Sequence, residues 1–290
     1  MRTQYVAALE LDEGRLAKDL ETSASFNYSE AYSNYLIGGP WKSAMLYSAG
    51  GDAGDGLLTD YDYRQSSDFT DYGRQMPYLQ ELISTSVDLS RLTFVRLARF
   101  AKSVIVPHRD FLELEEIPED KRSAHRLHIP LATHEECFFS EDNVVYRMRA
   151  GELWYFDASR IHSVVSFAEE PRIHLIFDFA DRPGAGSLVT VPGEPEGAGV
   201  PAASAVDRPQ LSDAERAALA RLADVLTMDT FSEIFSVLVK KHFRRDGGEH
   251  FVWDTLTALA RACPDPAVLP HTQELRRYFT LERPSGSGQA

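Results

Sequence analysis

The chain is 290 residues long, 43% hydrophobic and 11% aromatic, with 30 basic against 44 acidic side chains and a formal net charge of −14. That apolar content supports one or two packed domains and excludes a disordered tail or a disulfide-stapled peptide. The acidic balance argues against nucleic acid or an anionic membrane as partner, but not against a local arginine cluster around an anionic small molecule.

Cys137 and Cys263 are too few for a disulfide framework or an all-cysteine zinc site. Residues 1–14 lack the apolar core of a signal peptide, and no run approaches the ~18 apolar residues of a membrane span. A soluble, cytoplasmic protein is the expectation.

Residues 5–11 read as a strand, 13–20 as a short helix, and the Gly-rich 50–56 as a flexible loop. The aromatic-polar stretch 61–72 has no clear period and reads as loop with surface aromatics. Pro77 opens a helix carrying Tyr78, Leu79, Leu82, Ile83 and Val87 at helical spacing. From Leu92 the texture changes to short β-branched and aromatic runs at 93–97, 103–107, 126–132, 137–139, 144–148, 153–156, 163–167 and 173–179. Successive short strands without intervening helices predict an all-β sandwich or jelly roll. Residues 183–210 are rich in Pro, Gly and Ala and read as a linker or long surface loop.

Beyond that stretch the pattern is helical. Ser212 with Glu215, and Thr230 with Glu233, have capping-box spacing. The run starting at Phe231 stops at Gly247-Gly248, a further helix covers 251–262, and the last ends near Leu281. The expected plan is a β-rich domain at 1–182, a linker at 183–210, a helical cap or dimerisation module at 211–283 and a tail at 284–290.

One constellation carries chemistry. His108-Arg109-Asp110 follows the strand SVIVP, His162 opens HSVVSF, and Arg172 opens RIHLIFDFA. A His-x-Asp pair alone is uninformative, since chance produces about one in a chain this long. Two imidazoles and a carboxylate on one face of an octahedral metal leave three positions open, which suits Fe(II) oxygenase chemistry. An arginine on a neighbouring strand offers a dicarboxylate a planar fork that lysine cannot.

This set resembles the iron- and 2-oxoglutarate-dependent oxygenases. Within them, RLHIPL (126–131), GELWYFDASRIH (151–162) and RIHLIFD (172–178) are similar to the aspartyl/asparaginyl hydroxylase-like family. VIVPHRDFLELE, FSEDNVVYRMRAGELWYFDASRIHS and FSEIFSVLVKKH resemble its bacterial L-proline cis-3-hydroxylase group. The resemblance implies a mainly β fold, a double-stranded β-helix (jelly-roll, cupin-like) core with a C-terminal helical module. It implies Fe(II) on His108, Asp110 and His162, with Arg172 on the distal carboxylate of 2-oxoglutarate and Arg126 and His128 helping to hold that co-substrate. The proline hydroxylases keep only the arginine of that last pair, and Ser166 stands where the aspartyl hydroxylases have Asn. O₂ is the further co-substrate, ascorbate the reductant in vitro, and succinate and CO₂ the co-products. The carboxylate ligand Asp110 favours hydroxylation over halogenation.

The implied substrate is a free cyclic imino acid, L-proline or L-pipecolate, hydroxylated at C3. Arg96, Arg99 and Arg126 are candidates for its carboxylate, and Trp154 for its pocket wall. Each has an ordinary structural reading: Arg172 paired with Glu169 or Glu170, Arg126, Arg96 and Arg99 as structural ion pairs, Trp154 as core. His125, His134, His174, His242, His250 and His271 have no ligand spacing. Two other functions stay open: hydroxylation of an Asp or Asn side chain, and a non-catalytic metal-binding β-sandwich. Metal-dependent 2-oxoglutarate consumption separates the last from both enzymes. The family resemblance allows a homodimer through the helical module.

Overall fold

The computed structural model describes residues 3–33, 39–110, 117–180, 187–191 and 199–280. In chain order the elements are β1 (Gln4–Ala8), α1 (Glu13–Ser23), β2 (Trp41–Ala49), β3 (Ser67–Phe69), α2 (Asp71–Arg74) and α3 (Pro77–Ser86). There follow β4 (Leu92–Phe100), β5 (Ser103–His108), β6 (Ser123–Ala132), β7 (Cys137–Glu141), β8 (Val144–Tyr146), β9 (Glu152–Tyr155), β10 (His162–Ser166) and β11 (Arg172–Ala180). The helices α4 (Asp213–Ala220), α5 (Phe231–Arg244), α6 (Phe251–Ala262) and α7 (Val268–Thr280) complete the described chain.

The strands form a seven-stranded sheet, β1-β9-β6-β11-β4-β2-β3, and a four-stranded sheet, β5-β10-β7-β8. Every pairing is antiparallel, as the two facing sheets of a double-stranded β-helix require. Alternation along β11 shows how the sequence sorts the two faces of the large sheet. Ile173, Leu175, Phe177 and Phe179 join an apolar cluster with Val95, Leu97, Leu127 and Ile129, covered by Leu16 of α1 and Leu79, Leu82 and Ile83 of α3. Each such side chain contributes about 1.5–3 kcal/mol on full burial. The alternate residues Arg172, His174, Ile176 and Asp178 therefore face the four-stranded sheet, with Arg96 of β4 and Arg126 and His128 of β6.

The small sheet alternates too. Val104, Val106, Val145 and Val165 pack against the C-terminal helices, whereas Ile105, Phe139, Tyr146 and Val164 face inward onto Phe100, Trp154 and Phe156. The helices thus share a core with the sheet. Asp142 and Asn143 both have positive φ, 48° and 62°, which closes the tight β7–β8 hairpin.

Several sequence expectations need correction. The stretch 61–72 contains β3 and the start of α2, elements too short to print a period, and Tyr61 and Tyr63 are buried edge-on against Phe94. The strand expected at 5–11 ends at Ala8, and the helix expected at 13–20 runs on to Ser23, held by the Asp12 cap on Arg15 N. Where described, 183–210 pairs its backbone with the folded body: Val189 bridges Val87, and Ala205 bridges Tyr146. Its composition foretold few buried side chains and was silent about backbone pairing. The Ser212–Glu215 capping box forms, but Thr230 caps nothing in α5; its hydroxyl donates to Val225 O at 2.7 Å. The tail and Leu281 lie outside the described residues.

Candidate active site

His108 ends β5 and His162 begins β10, and the two are register partners. Strict alternation from Val104 and Val106 would turn His108 outward to the helices. The register prevents this: between the pairs Ile105–Val164 and His108–His162, two residues of β5 (106 and 107) oppose one of β10 (163), a bulge at Val106-Pro107 that re-aims His108 inward. The imidazole centres stand 4.2 Å apart. With Asp110, whose N–H donates to Ala158 O at 2.8 Å, they place one donor atom each within 4.8 Å of one another.

Both histidines bond through Nδ1 to backbone carbonyls, His108 to Val106 O at 2.8 Å and His162 to Arg160 O at 2.9 Å. With each Nδ1 engaged by a carbonyl, Nε2 is the ring atom turned toward Asp110, at 3.2 Å from His108 and 3.9 Å from His162, and the one that would ligate a metal. Burial, reinforced by neighbouring His108, pushes the His162 pKa down to about 3, so it is neutral and ready to ligate at pH 7. Burial works against ionisation of Asp110, but the Arg126 guanidinium and a hydrogen bond from His108 outweigh it and hold its carboxyl well below the usual range. A carboxylate and two imidazoles that present Nε2 fit a divalent iron ion.

An ion-pair lattice adjoins this cluster. Asp178 accepts from Arg96 Nη2 at 2.6 Å and from Arg126 Nε at 2.8 Å, and Arg126 Nη1 also donates to Asp110 Oδ2. The Asp178 carboxylate holds two guanidinium groups side by side, with Arg96 lying 5.9 Å from the Trp41 ring centre. Burial alone would lower the Arg126 pKa, but the carboxylates of Asp178 and Asp110 outweigh it and raise the value.

Deeper between the sheets sits Arg172, 2% exposed, with its guanidinium 4.8 Å from the Phe139 ring centre and 5.2 Å from that of Phe100. Its Nε and Nη1 have no hydrogen-bond partner. The surface pairing with Glu169 or Glu170 is overturned, since Glu169 pairs instead with Lys102. Burial lowers the Arg172 pKa to about 10, so the guanidinium stays charged at pH 7. A buried cation with two idle donors is a receptor for an anion. His128 and His174 stand beside it, their Nδ1 atoms 3.5 Å apart.

The fold thus brings together His108, Asp110, His162, Arg126, His128, Arg172 and Arg96. It does not bring Arg99, which lies on the opposite face of β4 with its guanidinium 5.3 Å from the Tyr28 ring centre. Trp154 is core: fully buried, stacked on Tyr146, its indole N–H satisfied by Glu152 at 3.0 Å. Asp178 and His174 were missed. The signal was in the RIHLIFD run, where polar residues recur at every second or fourth position against apolar alternates.

The C-terminal helices reach this site through backbone. Trp253 Nε1 of α6 donates to Pro107 O, and Phe279 O of α7 accepts from Arg109 N, each at 3.0 Å. These contacts flank His108 on both sides.

Residues 2–182 match the family described as Aspartyl/Asparaginyl beta-hydroxylase, and 187–287 match L-proline 3-hydroxylase, C-terminal. The chain is 30% identical over 288 residues to the L-proline cis-4-hydroxylase of Rhizobium meliloti (strain 1021), covering 99% of this chain and 98% of that one. It is 31% identical over 288 residues to L-proline cis-3-hydroxylase 1 of a Streptomyces sp, covering 99% and 97%. Among solved structures, a Pseudomonas putida prolyl-4-hydroxylase superposes at a TM-score of 0.36 with 14% identity, covering 61% of this chain and 91% of that one. The match over 2–182 and the full-length relatives place the chain in the aspartyl/asparaginyl β-hydroxylase family of iron- and 2-oxoglutarate-dependent oxygenases.

Proposed function

We propose that this chain hydroxylates a free cyclic imino acid, L-proline or its six-membered homologue L-pipecolate, at ring carbon 3, with succinate and CO₂ as co-products. The observation that carries it is the Asp178-braced pair Arg96 and Arg126 beside the His108–Asp110–His162 cluster. A zwitterionic substrate needs cations for its carboxylate and an acceptor for its ammonium, and this lattice offers both within one water-poor cleft. The named activities of the relatives, at C3 and C4 of L-proline, support the substrate class.

His108, Asp110 and His162 would hold Fe(II), and Arg172 with His128 the distal carboxylate of 2-oxoglutarate. The iron, when bound, supplies the oxidising chemistry that couples O₂ and 2-oxoglutarate to C–H hydroxylation. The rest falls to the protein. Arg172 neutralises the co-substrate's charge where no water can, Phe139 and Phe156 exclude solvent, and Arg96 and Arg126 fix the substrate by its carboxylate so that one C–H bond faces the metal.

No helix among the described residues is long and apolar enough to cross a membrane. Both described cysteines are free thiols, which supports a reducing, cytoplasmic setting. Val225, Met228 and Val237, the exposed large hydrophobics among the described residues, all lie in the helical module and support a homodimer there.

The test is succinate release by purified protein with Fe(II), ascorbate, O₂ and 2-oxoglutarate, alone and with proline, pipecolate, aspartate or asparagine. A product heavier by one oxygen with proline or pipecolate is expected, and NMR of that product assigns the carbon. Product from aspartate or asparagine instead would overturn the substrate. Absence of metal-dependent succinate with every additive would overturn the activity.

A further inference from the structure

The His128–His174 pair adds something that neither the ligand set nor the arginines supply. Both rings are buried, at 4% and 0% exposure, and each leaves Nε2 with no hydrogen-bond partner. Their Nδ1 atoms stand 3.5 Å apart with ring planes at 87°. His174 stacks on the same Phe139 ring as Arg172, and His128 lies on Phe156, which also meets His162 edge-on. Burial, with Arg126 and Arg172 nearby, keeps the His128 pKa well below its ordinary value, and burial with Arg172 does the same for His174. Two neutral imidazoles facing through Nδ1 can make one hydrogen bond, so exactly one of them carries a proton there.

The proposed function breaks the symmetry between the two rings, because it places His128 with Arg172 on the distal carboxylate. A carboxylate held by Arg172 only accepts hydrogen bonds, so an Nε2 of His128 turned toward it must carry a proton. A neutral His128 protonated at Nε2 has a bare Nδ1, and His174 must then donate from its own Nδ1. We propose that His174 is a positioning residue that locks His128 in the Nε2–H tautomer and so makes it a donor to the distal carboxylate of 2-oxoglutarate. This rests on the reading that Arg172 and His128 receive that carboxylate.

The experiment has a spectroscopic arm and a binding arm. Long-range ¹H–¹⁵N histidine spectra of the zinc-loaded protein read the tautomers without turnover. His128 is expected in the Nε2–H form and His174 in the Nδ1–H form, and the reverse assignment overturns the proposal. Calorimetric titration of 2-oxoglutarate into the same zinc-loaded protein reads the consequence. His174→Phe keeps the stacking on Phe139 but removes the donor, and is expected to weaken 2-oxoglutarate about 10-fold or more, the usual loss of one hydrogen bond to a charged group. His174→Asn puts an amide N–H near the lost Nδ1–H and is expected to restore most of the affinity. In the iron enzyme the KM for 2-oxoglutarate should rise in His174→Phe while the KM for proline stays put. Wild-type affinity in His174→Phe, or loss in His174→Phe unrescued by His174→Asn, overturns the positioning role. Arg172→Gln separates the two levels. If it binds 2-oxoglutarate like wild type, the carboxylate lies elsewhere and the underlying reading fails. If it loses binding while His174→Phe does not, only the tautomer lock fails.

Discussion

Arg126 and Asp110 are in direct contact, the guanidinium Nη1 donating to the carboxylate Oδ2 of a candidate iron ligand. Removing that cation should return the Asp110 carboxyl toward ordinary acidity, because Arg126 leads the interactions that offset its burial. Metal binding needs the carboxylate ionised. Arg126→Gln is therefore expected to move the pH midpoint of Zn(II) or Mn(II) binding upward and to weaken the metal by about 10–100-fold. Asp110→Ala should abolish hydroxylation outright. Normal product from Asp110→Ala would remove it from the ligand set, and an unmoved binding midpoint in Arg126→Gln would show that the contact does not tune the site.

Asp178 braces two arginines through its two oxygens and is itself almost fully buried. Breaking a buried ion pair by removing one partner costs about 3–5 kcal/mol, since the remaining charge is left without compensation. Asp178→Asn should therefore lower stability in urea by about that amount, while its amide cannot accept from both guanidinium groups at once. The KM for the imino acid should rise further than the KM for 2-oxoglutarate. Equal changes in both would indicate general loosening instead of loss of a substrate brace.

Four of the five buried histidines among the described residues set the acid limit of the metal-free protein. Burial pushes His162 down to about 3 and His242 down to about 4, and holds His128 and His174 well below their ordinary value. An unfolded histidine titrates near 6.5, so below that pH the unfolded state binds protons the native state refuses. Stability must then fall as pH drops from about 6.5 toward the native pKa values, by up to about 1.4 kcal/mol per pH unit for each group. Urea midpoints between pH 7 and pH 5 should decline steeply, and His242→Leu, outside the candidate ligand set, should flatten the slope by about one histidine's share. A slope unaffected by His242→Leu would show that this ring is not neutral in the native state.

The candidate site was legible where chemistry is local and obscure where it depends on the path of the backbone. His108, Asp110, His162 and Arg172 stood out because their residue types and spacing fit one metal and one dicarboxylate. Their convergence depends on a bulge at Val106-Pro107 that alternation would not forecast, since Val104 and Val106 face the helices. Arg96 and Arg99, three residues apart, fall on opposite faces of a strand, so the sequence allowed one of them at the site without saying which, and β4 turns Arg96 inward. His174 had no ligand spacing because its contact is with His128 on another strand. The C-terminal helices were visible as helices, but nothing in their pattern says that they clasp the residues around His108.

The two arginines of β4 offer an internal control. Arg96 is buried on the inner face with Asp178, whereas Arg99 is partly exposed on the other face beside Tyr28. Arg96→Gln should raise the KM for the imino acid by about 10-fold or more, the usual loss for one charge-assisted contact, while leaving metal affinity intact. Arg99→Gln should leave both KM values within about twofold, as expected of a surface change. A substrate effect from Arg99→Gln as large as that from Arg96→Gln would place the substrate carboxylate outside the barrel.

Trp253 carries the remaining prediction because it ties the helical module to the chemistry. Its indole N–H donates to Pro107 O, a carbonyl inside the bulge that turns His108 inward. Trp253→Phe keeps a large aromatic ring against Phe235 and Phe279 but cannot make that bond. The lost hydrogen bond should cost about 1–2 kcal/mol of stability and leave Pro107 O buried without a donor. If the bulge relaxes, His108 is displaced from the position that the other two ligands require. Metal affinity should then fall by about 10-fold, with the KM for 2-oxoglutarate following it. Reduced stability with unchanged metal affinity would mean that the β5–β10 pairing holds His108 by itself, and that the helices cover the sheet without aiming its ligand.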